Sequence, residues 1–153
     1  MHADMIVCID DRNGISRNNK IPWYHREDIL HFRNMATSRI CLFGRKTWDS
    51  ISDSGKRFLF SNAKVFVMTR SVPWDEFEEF AELHKDRSVL ICGGQDIYQL
   101  AFEKCTVDRL YITRIPGDFE CDRWFRLPPN YFMSSEQFVD GATFQEYVRA
   151  GRD

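Results

Sequence analysis

SVLICGGQDIY, residues 88–98, is an apolar run, two glycines, and then a stretch that suits a helix. Val89, Leu90, Ile91 and Cys92 show no polar alternation, so the run reads as a strand covered on both faces. Gly93 and Gly94 turn the chain, and the helix they open runs through about Glu103. A buried strand followed at once by a helix is the repeating unit of sheets whose parallel strands need helical crossovers. The rest of the chain repeats it. MIVCI (5–9), ICLF (40–43), VFVMT (65–69) and DRLYITRI (108–115) read as further buried strands. DRNGISRNNK (11–20) reads as a loop, and the helix after it carries Glu27 and Asp28 in its first turn, where acids suit the helix dipole. GRKTWDSI (44–51) is a turn into a short helix. WDEFEEFAELHK (74–85) is an amphipathic helix with apolar residues at 74, 77, 80, 81 and 83. At the end, YFMSSEQFV and ATFQEYVRA alternate like a terminal antiparallel hairpin. The expectation is an α/β fold, one domain over 1–153. A mostly parallel central sheet is flanked by helices on both faces and extended by an antiparallel C-terminal hairpin.

Composition narrows the function. With 153 residues and 43% hydrophobic content, the chain can bury a sizeable core. Lys+Arg 21 against Asp+Glu 23, net charge −2, argues against a general nucleic-acid binder. No apolar run approaches the roughly 18 residues of a membrane span, and the N-terminus lacks a secretory h-region. The five cysteines, Cys8, Cys41, Cys92, Cys105 and Cys121, form no CxxC pair. They read as reduced buried thiols of a cytoplasmic protein, with no metal site. No exposed apolar helix face is left over, so a monomer is expected.

Two strand-to-helix turns carry glycine, at Gly44 and at Gly93-Gly94. Glycine lets backbone approach a ligand, and helix N-termini offer free N–H groups to phosphates. Arg45 and Arg70 follow strands, as residues binding a phosphorylated cofactor would. Asp28 is the other unusual residue. On a helix it shares a stripe with Phe32 and Met35. It either caps the first turn, a role Glu27 already fills, or faces inward to a ligand with paired N–H groups. His25 and His31 flank it and read as surface residues.

These motifs together resemble the dihydrofolate reductase family over nearly the whole chain. The resemblance rests on Ile21-Pro22-Trp23 with Asp28 and Phe32, on DRNGIS with NNK, on GRKTWDSI, on VMTR (67–70), on ICGGQDIY (91–98), on LYITRI (110–115), and on Asp122 with Phe125, all in order. It implies hydride transfer from NADPH to C6 of 7,8-dihydrofolate with a proton taken at N5, giving tetrahydrofolate for one-carbon and thymidylate metabolism. The implied catalytic residues are Asp28, Trp23 and Thr113. Asp28 would bind the pterin's 2-amino group and N3, Thr113 would brace it, and Trp23 would hold an ordered water. Ile6, Ile29, Phe32 and Ile51 would sandwich the substrate, with Tyr98 nearby and the carbonyls of Ile6 and Cys92 facing its exocyclic nitrogen. For NADPH, the resemblance implies Cys8, Ile15 and Ser16 on one side and Gly44, Arg45, Lys46 and Thr47 on another. It adds Thr69 and Arg70 at a strand end, and Gly93, Gly94, Gln95, Asp96 and Ile97 at the second glycine turn. Arg45 and Arg70 would take the 2′-phosphate, and a cis peptide would join Gly93 to Gly94. The partners implied are dihydrofolate and NADPH, with no nucleic acid and no membrane.

Departures from the family pattern bear on recognition of the substrate's tail. The Arg that clamps the glutamate α-carboxylate is Ala63 here. Such a contact contributes about 1.5–3 kcal/mol. Lys56, Arg57, Arg33 and Lys64 are the candidate substitutes. The loop's usual Gly is Ser16, the usual Gly before Asp122 is Cys121, and Cys92 widens the pterin pocket. Ala63 keeps open an alternative: a reductase of the same fold acting on a pterin or pyrimidine without a glutamate tail.

Overall fold

The computed structural model describes residues 1–151. The chain runs β1 (His2–Ile9), β2 (Gly14–Ser16), α1 (Arg26–Ala36), β3 (Ile40–Gly44), α2 (Arg45–Asp49), α3 (Asp53–Leu59) and β4 (Lys64–Met68). It continues through α4 (Trp74–Leu83), β5 (Val89–Gly93), α5 (Gln95–Lys104), β6 (Thr106–Arg114), β7 (Arg123–Trp124), β8 (Tyr131–Val139) and β9 (Ala142–Arg149). A seven-stranded sheet has the order β4-β3-β5-β1-β6-β9-β8. The pairs from β4 to β6 are parallel, while β9 pairs antiparallel with both β6 and β8. This is the expected α/β sheet with its C-terminal hairpin.

The period-2 alternation of buried strands sorts side chains to two cores. Met5, Val7 and Ile9 of β1 join Leu42 and Ile91 against Trp74, Phe77 and Ala81 of α4 and Ile97 and Ala101 of α5. Ile6 joins Cys41, Phe43 and Cys92 on the other face, under α1 and the α2–α3 region. The chain goes from β1 to one side of the sheet, returns to β5, and then crosses to β6 on the other side. The order therefore reverses between β5 and β1, where sheets of this kind open a crevice at the carboxyl ends of their strands.

Several expectations are corrected. Residues 11–20 are not all loop, because β2 pairs antiparallel with β7 in a separate two-stranded sheet. Three residues are too few to show an alternation. The helix α3 went unread because Gly55 interrupts its pattern; its start is secured by Ser52, whose hydroxyl accepts from the Gly55 N–H at 3.1 Å. Leu83 is 80% exposed, not part of the buried stripe of α4. Residues 74, 77 and 81 lie on one helical face, and two further steps of 100° carry 83 off it. Only Cys41 and Cys92 are buried; Cys8, Cys105 and Cys121 are half-buried, and all five are free.

His25 and His31 are half-buried, not surface residues. Glu27 is not the cap of α1. His25 Nδ1 accepts from the Asp28 N–H at 3.1 Å, while its Nε2 meets the Asp140 carbonyl at 2.8 Å. Those two contacts require the neutral tautomer with the proton on Nε2. The ring thus ties the first turn of α1 to the β8–β9 turn. His31 stacks on Phe144 of β9 with centroids 4.6 Å apart.

Candidate active site

A cleft of about 810 Å³ opens at the carboxyl ends of β1, β4 and β5. That volume suits an organic ligand held in a largely preformed site. Asp28 lines it together with Ile6, Phe32, Cys92 and Tyr98, as the sequence led us to expect. The carboxylate does not stand alone. The Cys8 thiol lines the same wall. Burial, and then the Asp28 charge, push this thiol well above its usual range, so it stays protonated. Tyr98 donates its buried hydroxyl to the carbonyls of Ile6 at 2.8 Å and Cys92 at 3.0 Å. Its pKa is also raised, first by burial and then by the neighbouring Cys92, Cys8 and Asp28.

Five expected residues do not line the cleft. Trp23 is half-buried at its edge, packed edge-on to Phe119 at 5.2 Å. Thr113 is fully buried beneath the floor, in register with Cys8 across β1 and β6. Gly93 is buried under Gly94. Ile29 and Ile51 are also absent from the wall. Ile51 packs instead on an aromatic cluster in which Phe60 lies 5.4 Å from both Phe43 and Trp48 and 5.9 Å from Phe32. That cluster forms because α3 delivers Phe60 over the sheet, and it fills the space on the far side of Phe32.

The other half of the cleft collects the glycine turns. Gly44, Arg45, Lys46 and Thr47 line it from β3–α2, Thr69 and Arg70 from the end of β4. Gly94, Gln95, Asp96 and Ile97 line it from β5–α5, and Ile15 and Ser16 from β2. The cap residues Gly44 and Gly94 make no side-chain capping bond, so the first N–H groups of α5 are left for a ligand. Both turns pack too closely for a side chain. A Cβ at Gly94 would lie 2.7 Å from Thr47 Oγ1, and one at Gly44 would lie 2.9 Å from Ile97 Cγ1. The Gly93-Gly94 peptide is cis. Lys20, Arg45, Lys46, Arg70 and Arg123 on the lining outnumber Asp28 and Asp96, so this half favours an anion. Lys20, Ser50, Met68, Ser71, Leu100 and Arg123 also line the cleft and were missed. Lys20 lies in a loop already singled out, and Arg123 directly follows Asp122, so both carried a positional signal.

The loop over the cleft is anchored to the segment before β7. The fully buried Asp10 carboxylate accepts from the N–H groups of Arg12, Gly14 and Phe119 at 2.8–3.0 Å. Burial alone would raise its pKa, but these bonds hold it below its usual value. Asp122 accepts from the Asn18 N–H at 3.0 Å, and its own N–H donates to the Ser16 carbonyl at 2.9 Å. Ser16 in place of glycine is therefore compatible with the anchored loop. Cys121 is accommodated from across the contact, since any Cβ at Gly14 would strike it. At the tail end, Ala63 packs on the aromatic cluster. Arg33 donates to the Phe58 carbonyl at 3.0 Å with its guanidinium 4.7 Å over that ring, and Lys56 sits 4.5 Å over Trp48.

No helix among the described residues is long and apolar enough to cross a membrane. A family model described as dihydrofolate reductase matches residues 2–147. The chain is 32% identical to the dihydrofolate reductase of Bacillus subtilis (strain 168) over 130 residues, covering 78% of this chain and 73% of that one. It is 30% identical to that of Staphylococcus aureus (strain N315) over 142 residues, covering 89% and 84%. Against that of Ureaplasma parvum serovar 3, identity is 25% over 142 residues, with 88% of each chain covered. The cleft sits where such sheets bind ligands, its acid and its glycine turns fall on the matched segments, and the chain belongs to the dihydrofolate reductase family of oxidoreductases.

Proposed function

We propose that the protein reduces 7,8-dihydrofolate to 5,6,7,8-tetrahydrofolate with NADPH. The observation that carries this reading is Asp28, a carboxylate on an otherwise apolar cleft wall, beside a cationic glycine-turn region with room only for backbone. NADPH, when bound, supplies the hydride that C6 of the pterin receives.

The chain's own residues then have separable tasks. Asp28 accepts from the pterin's 2-amino group and N3, which fixes the ring's orientation. Its negative charge favours the protonated form of N5, with the proton delivered through water. Ile6 and Phe32 pack the ring faces. The carbonyls of Ile6 and Cys92 accept from the exocyclic nitrogen. Trp23 holds an ordered water at the edge of the cleft, and Thr113 braces the Asp28 carboxylate from beneath the floor. Ile29 and Ile51 support Phe32 and the aromatic cluster rather than touching substrate. Arg45, Lys46 and Thr47 hold phosphate oxygens with the free N–H groups of Gln95 and Asp96. Thr69 and Arg70, with Arg45, hold the 2′-phosphate. Ile15, Ser16 and Ile97 close over the nicotinamide end and exclude water.

The test is oxidation of NADPH and of NADH with dihydrofolate, for the parent and Arg70→Ala. Turnover with NADPH, a preference over NADH of about tenfold or more, and loss of that preference in the variant are expected. Tight NADPH binding with no oxidation by dihydrofolate would contradict the reading. A second reading, a reductase of a pterin or pyrimidine without a glutamate tail, draws on Ala63 and on the engagement of Arg33 and Lys56 by aromatic rings. Turnover of dihydrobiopterin without turnover of dihydrofolate would select it.

A further inference from the structure

We propose that Arg123 is a further cofactor-binding residue, reaching the pyrophosphate of NADPH from the loop side of the cleft, opposite Arg45, Lys46 and Thr47. The inference rests on the reading of NADPH as the cofactor given above.

The strand β7 places this side chain. Arg123 and Trp124 are successive residues of β7, so their side chains point to opposite faces of the β2–β7 ribbon. Arg123 lines the cleft together with Gln95, the first residue of α5. Trp124 lines a small separate pocket that also contains Gln95, with Tyr98 and Gln99 of α5. Strand β7 therefore runs along the first turn of α5, and Arg123 takes the side that faces the cleft. The sheet order puts β5, which leads into α5, between β3 and β1. The α2 residues follow β3 and the β2–β7 ribbon follows β1, so the two sets flank the start of α5 from opposite sides. The N–H groups of that first turn have no side-chain cap, and they carry the positive end of the helix dipole. An anion held there meets Arg45, Lys46 and Thr47 on one side and Arg123 on the other.

The guanidinium is also uncommitted. Arg45 pairs with Asp49 at 3.6 Å, but Lys20, Lys46, Arg70 and Arg123 form no ion pair among the described residues. Arg123 makes one side-chain bond, to the Asp122 carbonyl at 3.2 Å. That bond steers the side chain and leaves the other N–H donors of the fork for a ligand. A fork of donors suits a pair of phosphate oxygens. An exposed arginine is ordinarily a solvated surface charge. This one faces an uncapped helix start from a fixed backbone. Residues 17–20 close a tight hairpin in which Arg17 and Lys20 exchange N–H···O bonds of 2.8 and 3.0 Å, with Asn18 and Asn19 at φ 51° and 62°. The Asn18 N–H donates to the Asp122 carboxylate at 3.0 Å, so the residue next to Arg123 is tied to that hairpin. Arg123 is thus presented before the ligand arrives, and little ordering is left to oppose binding.

The test is fluorescence titration of NADPH and of NADH onto the ligand-free protein, for the parent, Arg123→Gln and Arg123→Lys, at low and high salt. Both dinucleotides carry the pyrophosphate, and only NADPH carries the 2′-phosphate. In Arg123→Gln the Kd of both should rise by the same factor, about fivefold to tenfold at about 0.05 M salt. At about 0.5 M salt the factor should shrink, because an exposed charge is screened. Arg123→Lys keeps the charge without the fork and should fall between the parent and the glutamine variant. Dihydrofolate, titrated separately, should bind all three alike. A loss confined to NADPH would assign Arg123 to the 2′-phosphate and overturn the inference. Unchanged affinity for both dinucleotides would overturn it, and so would a loss equal at both salt concentrations, which a purely structural role gives. Weaker dihydrofolate binding with dinucleotide binding intact would place Arg123 on the substrate and overturn it too. Failure of the parent to bind either dinucleotide would contradict the reading of the cofactor, and the inference falls with it. Binding of both without turnover of dihydrofolate would contradict the proposed reaction alone, and the titration would still decide the role of Arg123.

Discussion

Replacing Tyr98 by Phe removes one oxygen from the wall of the cleft and leaves the ring in place. The hydroxyl proton is shared between the Ile6 and Cys92 carbonyls at 2.8 and 3.0 Å. Burial keeps that hydroxyl protonated well beyond the usual phenol range, so it is a donor at every pH of interest. Its loss leaves two acceptors without a partner. An unpaired buried polar group costs about 1–3 kcal/mol. Both carbonyls belong to residues on the open cleft, where water can take over part of the bond, so the total should be about 1–3 kcal/mol and not twice that. For a chain of this size each kcal/mol is about 2–4 °C, which predicts a fall in Tm of about 2–12 °C for the ligand-free variant. Added dihydrofolate should narrow the gap, because the pterin's amino group supplies the missing donor to the same two carbonyls. Thermal unfolding followed by circular dichroism, with and without dihydrofolate, measures both effects. A Tm within about one degree of the parent would refute the claim that these carbonyls depend on Tyr98. A gap that ligand fails to narrow would refute their assignment to the pterin amine.

Two further outcomes follow from the same geometry. Burial lowers the pKa of His31 against the opposing effect of the Asp28 charge. The unfolded chain therefore takes up the proton first, and stability is lost as pH falls from about 6.5 toward the lower folded value. Urea midpoints between about pH 7.5 and 5 should fall more steeply for the parent than for His31→Gln, and parallel curves would count against the burial of the ring. In Gly94→Ala the new Cβ would lie 2.7 Å from Thr47 Oγ1. Titration of NADPH by fluorescence should show affinity weakened about tenfold in a folded protein, and unchanged affinity would contradict the close approach of this turn to the cofactor.

What could be read in the sequence follows from how far each signal reaches. The strands around SVLIC and MIVCI declare themselves because both of their faces are buried, and no polar residue interrupts them. The order of strands and helices then implies the crossovers and the crevice. The residues of α3 gave no such signal. Its pattern is broken by Gly55, and its role, carrying Phe60 to the Phe32–Phe43–Trp48 cluster, exists only in three dimensions. Ile51 packs against that cluster, a contact no local pattern in the sequence records. The inward aim of Asp28 was legible from its stripe with Phe32, but what holds it was not. His25 looked like a surface residue, yet it caps the helix because β8–β9 brings the Asp140 carbonyl to its other nitrogen.

The central claim is that Asp28 faces the cleft to bind and polarise the pterin. Steady-state NADPH oxidation with dihydrofolate, for the parent and Asp28→Asn at equal folded concentration, tests it most directly. The amide keeps the size of the side chain but loses its charge and one acceptor, so kcat/KM should fall about a hundredfold or more while NADPH binding stays intact. Turnover in Asp28→Asn within about tenfold of the parent would contradict the role assigned to this residue and, with it, the account of the site.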